Sequence, residues 1–298
     1  MWRLLTDACE LVNDVSLVSA QGLVSNESKE FDMNPRFAMR DWLLSRLQYS
    51  ELRGVPVDSP EMTLRRRELL ERNVCAHFSF ERWYRELAGT VATAPEGLRV
   101  ELGSGGGFLD QFIGSLIKTD VVELPFIDKV CQAERLPFPD ASTGALVMVN
   151  VLHHVGDVDA FWREAVRILV PNGVIAMIEP YVSSFSRLIY RYVHHEPFDP
   201  DAVDWRLPPG GRLSGGNAAL PWIVFVRDRA RFERDHPALR IESLRPHSPF
   251  SHLLSGGVTT RPLAPLWAIR SLVWMEARVP WAMPWLGVFF TVILRRSA

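Results

Sequence analysis

Residues 98–107 read Leu-Arg-Val-Glu-Leu-Gly-Ser-Gly-Gly-Gly, and this stretch decides the fold. A short apolar strand runs into Glu101, and Gly103, Gly105, Gly106 and Gly107 follow within five positions. Glycine has no Cβ, so it takes positive φ and lets a ligand lie against bare backbone. A strand ending in such a loop, with a helix behind it, forms a nucleotide pocket at the strand's carboxyl edge.

Three patterns compete for the loop. A phosphate-binding P-loop needs Lys-Ser or Lys-Thr after its last glycine. Here Phe108 follows Gly107, and the next lysine is Lys118. The dinucleotide fingerprint needs a third glycine where Phe108 stands. What remains is Glu-x-Gly-x-Gly-x-Gly, carried by Glu101, Gly103, Gly105 and Gly107. This resembles the first motif of class I methyltransferases that use S-adenosyl-L-methionine (SAM). The resemblance implies that Glu101 faces the methionine end of the cofactor. It also implies that Gly103, Ser104 and Gly105 bring bare backbone against it.

The downstream order extends the resemblance. Ile117 to Val122 is a second apolar run, and two acids could mark its end. Asp120 fits a short strand before the turn at Pro125, and Glu123 fits the more usual spacing. In the family this acid accepts hydrogen bonds from both ribose hydroxyls. Cys131-Gln132-Ala133-Glu134-Arg135-Leu136-Pro137-Phe138 is similar to the Asp-Ala-Glu-x-Leu-Pro-Phe signature of the type 11 subgroup. Gln132 stands where that signature has Asp. Its carbonyl can accept from the adenine amino group, but without charge assistance. The backbone of Ala133 would contact the ring. Ala145 to Val149 is the fourth strand, followed by Asn150, a further cofactor contact, and by Leu152-His153-His154. Thr143-Gly144 stands where the family has Phe-Asp. Asp157 caps a helix bearing Phe161, Ala165, Val166 and Leu169, and Pro171-Asn172-Gly173 ends it. Val174 to Ile178, closed by Glu179-Pro180-Tyr181, is the fifth strand.

The resemblance therefore covers residues 98–181. It implies an α/β, Rossmann-like class I methyltransferase sheet of seven strands, the last antiparallel. An N-terminal helical cap and an insertion after strand five complete the expected fold.

Bulk composition adds bounds. At 298 residues, 47% hydrophobic and 23% charged, the chain can bury a sizeable core. A net charge of -2 gives no case for a nucleic-acid partner. Cys9, Cys75 and Cys131 are too widely spaced for a disulfide framework or a zinc site, and they fit a reducing cytosol. Asp7, Glu10 and Asp14 interrupt any secretory signal.

Residues 1–34 read as an appendage and 35–95 as the helical cap. Within the cap, Arg36 to Leu47 reads as a helix, and Ser59-Pro60-Glu61 starts another. Arg65-Arg66-Arg67 reads as a solvated helix face. Residues 96–298 form the SAM-binding domain, with a Gly- and Pro-rich, lid-like insertion over about 183–240. Residues 279–294 lack charge, but Pro280 and Pro284 break them, and they are too short to span a bilayer. Gly287 to Leu294 suits a buried strand. Leu263 to Val279 suits a helix carrying Trp267 and Trp274 seven apart. Core packing is the plain expectation for these rings. Peripheral membrane contact through the Trp-rich segment, which includes Trp281 and Trp285, is the alternative.

Methyl transfer from a sulfonium needs alignment and exclusion of water, and a base only where the acceptor must lose a proton. His153 and His154 are the candidates for that base. Tyr181 and His194-His195-Glu196 could line the acceptor pocket; no metal is expected. The expected acceptor is a small molecule such as a sugar, a lipid-linked intermediate or a secondary metabolite, with O-methylation favoured. Two other classes stay open. Gln132 and the missing Phe-Asp would suit a SAM-fold scaffold without turnover. Measurable NAD(P)H binding would mark an oxidoreductase.

Overall fold

The computed structural model describes residues 46–193, 196–208, 210–211 and 214–298. The expected appendage, all but the end of the Arg36–Leu47 helix, and His194 and His195 lie outside them. The described chain opens with two helices, α1 (Pro60–Arg72) and α2 (Val74–Val91). Ser59 Oγ accepts from Met62 N, and Pro60 fills the first helical position, where no amide donor is needed. Asn73 separates the helices by capping α2 through the amides of Cys75 and Ala76.

Seven strands follow: β1 (Leu98–Leu102), β2 (Leu116–Asp120), β3 (Lys129–Val130), β4 (Thr143–Val149), β5 (Leu169–Pro180), β6 (Leu239–His247) and β7 (Phe289–Arg296). They form one sheet in the order β3-β2-β1-β4-β5-β7-β6. The first five run parallel, and β7 lies antiparallel between β5 and β6. Val100, Leu146 and Met177 point to one face, and Ala145, Val147 and Ile178 to the other. Burial on both faces explains why these strands read as continuous apolar runs rather than alternating ones.

The expected helix behind the glycine loop is absent. Residues 103–115 hold only a 3₁₀ turn at Leu109–Gln111. Three consecutive glycines disfavour a helix start, and Gly114 leaves too few residues for a crossover helix. Phe108, Leu109 and Ile113 instead pack beneath Phe80, Tyr84 and Leu87 of α2, which roofs this face. The opposite face is covered by α3 (Val158–Ile168), capped by Asp157 as its sequence requires.

The unusual Thr143-Gly144 lies inside β4. A Cβ at Gly144 would stand 2.3 Å from the Pro95 carbonyl oxygen, so the incoming linker crosses bare backbone there. At Pro171-Asn172-Gly173 the chain loops out of β5, with Asn172 at φ 62. The pairing jumps from Thr143↔Leu169 to Ala145↔Val174 across this loop.

After β5 come α4 (Ser184–Tyr192), a long loop, and α5 (Arg229–Asp235). Only part of the expected lid is a surface loop. Leu220, Ile223, Val224 and Phe225 are fully buried against the sheet and belong to its helical layer. Between β6 and β7 stands α6 (Leu266–Glu276). Its Trp267 and Trp274 are 72% and 58% exposed, so the core-packing expectation fails for both. Among the described residues no helix is long and apolar enough to cross a membrane.

Candidate active site

A cavity of about 880 Å³ opens at the carboxyl ends of β1, β2 and β4. One side is built by the glycine loop. Gly103 and Gly105 adopt φ of +62 and +49, and a Cβ at Gly103 would meet Val151 at 2.6 Å. Glu101 lies beneath the loop, only 4% exposed. Burial pushes its carboxyl up to about 7, with Ser104 offsetting part of the rise. Ser104 is itself buried and lines the cavity.

Of the two candidate ribose acids, Asp120 reaches the cavity and Glu123 does not. Asp120 ends β2. One of its oxygens accepts from Gly105 N at 2.9 Å and the other from Val122 N at 2.9 Å. The carboxylate thus fixes the glycine loop and keeps lone pairs for a ligand hydroxyl. Glu123 stands exposed on the turn beyond. Gln132 and Ala133 line the cavity from the loop after β3, with Gln132 exposed. Asn150 sits at φ 58, and its Oδ1 is buried without a hydrogen-bond partner. A non-glycine residue held in the left-handed region, with an acceptor left unsatisfied, is strain of the kind that collects at ligand sites.

These residues fit SAM. They offer a carboxylate for its ammonium, bare backbone beside the glycine loop, an acid at the end of β2 and an amide after β3. The orphaned Asn150 oxygen is the observation that calls for a ligand donor.

The opposite wall was less legible. His154 lines the cavity, but His153 does not. His153 is buried behind it, with Nδ1 2.8 Å from Glu179 Oε2 and Nε2 3.4 Å from Glu196 Oε2. Burial alone would lower its pKa, but the two carboxylates outweigh burial and raise it to about 10. The Glu179 Oε1 atom accepts from the amides of Val151 and Leu152, both at 2.8 Å, and so fixes the turn. His154 is drawn down to about 3 by burial and by its neighbour His153, and it presents an uncharged ring. Either histidine was a candidate base; only His154 can touch a substrate. Tyr181 is packed against Phe290 and is not on the wall.

The arginine run overturns the solvated-face expectation. Arg66 is drawn into the cavity wall, and Arg67 donates to the Gly107 carbonyl at 2.8 Å while stacking over Phe126. A helix with polar residues on every side gave no hint that one face lies over a loop 40 positions later. The post-β5 loop contributes Gly210, Gly211 and Gly215 to the wall. Ser214 Oγ donates to Asp58 at 2.8 Å, and Asn217 N to the His153 carbonyl at 2.8 Å. A Cβ at Gly216 would lie 2.5 Å from His154 Nδ1, so this loop fixes the ring.

Comparison with known proteins finds a match over part of the chain. Residues 115–177 match the type 11 family described as a methyltransferase domain. A demethylmenaquinone methyltransferase of Tropheryma whipplei (strain Twist) is 40% identical over 63 residues, covering 20% of this chain and 26% of the relative. The chain thus matches about a quarter of that relative's length. Among solved structures, a SAM-dependent methyltransferase from Mesorhizobium loti covers 71% of this chain and 96% of its own, at 17% identity and TM-score 0.40. Another, from Thermotoga maritima, covers 77% and 99%, at 17% identity and TM-score 0.42. Over residues 115–177, from β2 into β5, the chain thus matches the type 11 methyltransferase domain.

Proposed function

We propose that this protein transfers the methyl group of SAM to a small-molecule acceptor, on oxygen, and does so at a membrane surface. The observation that carries the first part is the single cavity joining the glycine loop to His154 and Arg66. When bound, SAM supplies a methyl group already activated by the sulfonium charge. Glu101 holds the ammonium end, and the backbone at Gly103 and Gly105 lies against the methionine portion. Asp120 takes the ribose, while Gln132 and Ala133 take the adenine. His154 faces the acceptor hydroxyl, and His153 packs behind it. Arg66 suits an acceptor bearing a carboxylate or phosphate. The loop around Gly210 and Gly211 keeps water from the reacting atoms.

The matched segment of the relatives lies mostly on the cofactor side, so it carries the donor rather than the acceptor. The surface bears on the acceptor's class. Trp267, Trp274, Trp281 and Trp285 are all more than half exposed. Phe250, Leu188, Tyr192 and Val193 add to the exposed apolar groups. Phe185 of α4 packs against Phe250 with the rings tilted and their centroids 5.1 Å apart, and Glu276 of α6 accepts from Phe250 N, which links these elements. From residue 246 to 294 the charged side chains are Arg261, Arg270, Glu276 and Arg278, and the one acid is buried. Exposed tryptophan with arginine alone suits an anionic bilayer surface. A lipid-linked acceptor follows.

Isothermal titration with SAM and with its demethylated product tests the cofactor, with NADH as control. Saturable binding that is lost in Gly105→Arg supports the proposal; a folded sample that binds neither ligand refutes it. Flotation with phosphatidylcholine vesicles, with and without phosphatidylglycerol, tests the surface. Binding to the anionic vesicles, lost in Trp281→Ser/Trp285→Ser, is expected. Absence of flotation, or a dimer that covers these rings, overturns the membrane part.

A further inference from the structure

We infer that His153, His154 and Glu196 form a divalent-metal site of the zinc class at the acceptor wall. Each offers a ligand atom, and these atoms all lie within 4.8 Å of one another. A charge-assisted N–H···O bond closes to about 2.7–2.9 Å. His153 does so with Glu179, at 2.8 Å. It does not do so with Glu196, where Nε2 stands 3.4 Å from Oε2. Two ligands held about 2.0–2.1 Å from one tetrahedral ion are separated by about 3.3 Å. His154 Nε2 lies 3.9 Å from the other Glu196 oxygen, beyond hydrogen-bond reach, and its Nδ1 is buried with no partner.

The outer shell fits as well. A metal-bound histidine usually donates its second ring nitrogen to a carboxylate, which fixes the tautomer and aims the free lone pair. Glu179 does this for His153, and it is itself held by two backbone amides. Two histidines and a glutamate leave a fourth position, as in catalytic zinc sites.

His154 lies on the cavity wall, so that position is available to an acceptor oxygen. This role rests on the proposed methyl transfer; the metal site itself does not. The bound oxygen would lose its proton more readily, which serves O-methylation.

The test uses the untagged full chain after dialysis against a chelator. Titration with Zn²⁺ should give one ion per chain, and Co²⁺ should give the intense visible band of a tetrahedral site. His154→Ala and Glu196→Ala should each weaken Zn²⁺ by at least about 100-fold. Glu179→Gln should weaken it by about 10–100-fold. Binding of the demethylated cofactor product to the same samples shows that they are folded, and it tests the methyltransferase proposal separately. Wild-type protein that takes up less than one ion, gives an octahedral Co²⁺ spectrum, or loses no affinity in either alanine variant overturns the site. If the variants do not fold, wild-type stoichiometry and the Co²⁺ spectrum decide.

Discussion

Glu101→Gln is the most informative single substitution, because the structure assigns opposite effects to it with and without ligand. Burial raises the Glu101 carboxyl from 4.5 to about 7. At about 1.4 kcal/mol for each tenfold change in proton affinity, that rise corresponds to about 3.5 kcal/mol. The folded state holds this proton more tightly than the unfolded chain does. Its contribution to stability is therefore complete below pH 4.5, erodes as pH rises toward 7, and is lost above. Glutamine stays neutral throughout. The ligand-free variant should match wild type near pH 4.5 and exceed it by up to about 3.5 kcal/mol at pH 8. Saturating demethylated cofactor product should reverse the order at pH 8, since its ammonium neutralises the wild-type carboxylate and finds no charge in the variant. Urea unfolding at pH 5, 6, 7 and 8, with and without that ligand, reads both effects. A stability difference that does not change with pH, or a variant less stable than wild type at pH 8 without ligand, would refute the burial argument.

Three further outcomes follow from the geometry. Gly103→Ala must hold φ near +62 with its Cβ against Val151, which costs about 1–2 kcal/mol of stability; thermal unfolding reads that, and titration should show weaker SAM binding. Asp120→Asn removes charge from the bond to Gly105 N and from the ribose side, so SAM affinity should fall roughly 10–100-fold, whereas Glu123→Gln should leave it unchanged; equal effects in a side-by-side titration would show that the wrong acid was assigned. Gly144→Ala drives a Cβ into the Pro95 carbonyl and should cost about 1–3 kcal/mol in urea unfolding with no change in SAM affinity.

The parallel half of the sheet and its cofactor edge were legible because local signals carry them. The Glu101 to Gly107 loop, the cap at Asp157 and the apolar strands each depend on residues within a few positions, whereas Pro171-Asn172-Gly173, read as the turn that ends the helix, lies within β5. Cap and strand boundaries moved by only a few residues, as with β2 at Leu116–Asp120. The helix predicted behind the loop failed because α2, donated by another part of the chain, already fills that layer.

The acceptor wall had no such local signature. Arg66, Asp58, His154 and Glu196 come from segments up to about 140 positions apart, and only packing brings them together. Tryptophans seven apart on a helix look the same whether the helix is buried or exposed, because periodicity fixes which residues share a face and not what that face meets. The sequence by itself thus determined the sheet and the glycine-loop side of the cavity, since both follow from short-range backbone chemistry. Only the tertiary structure decided which histidine reaches the cavity, which acid ends β2 against the glycine loop, and which aromatic face is left to solvent. Those outcomes depend on which distant elements compete for the same space.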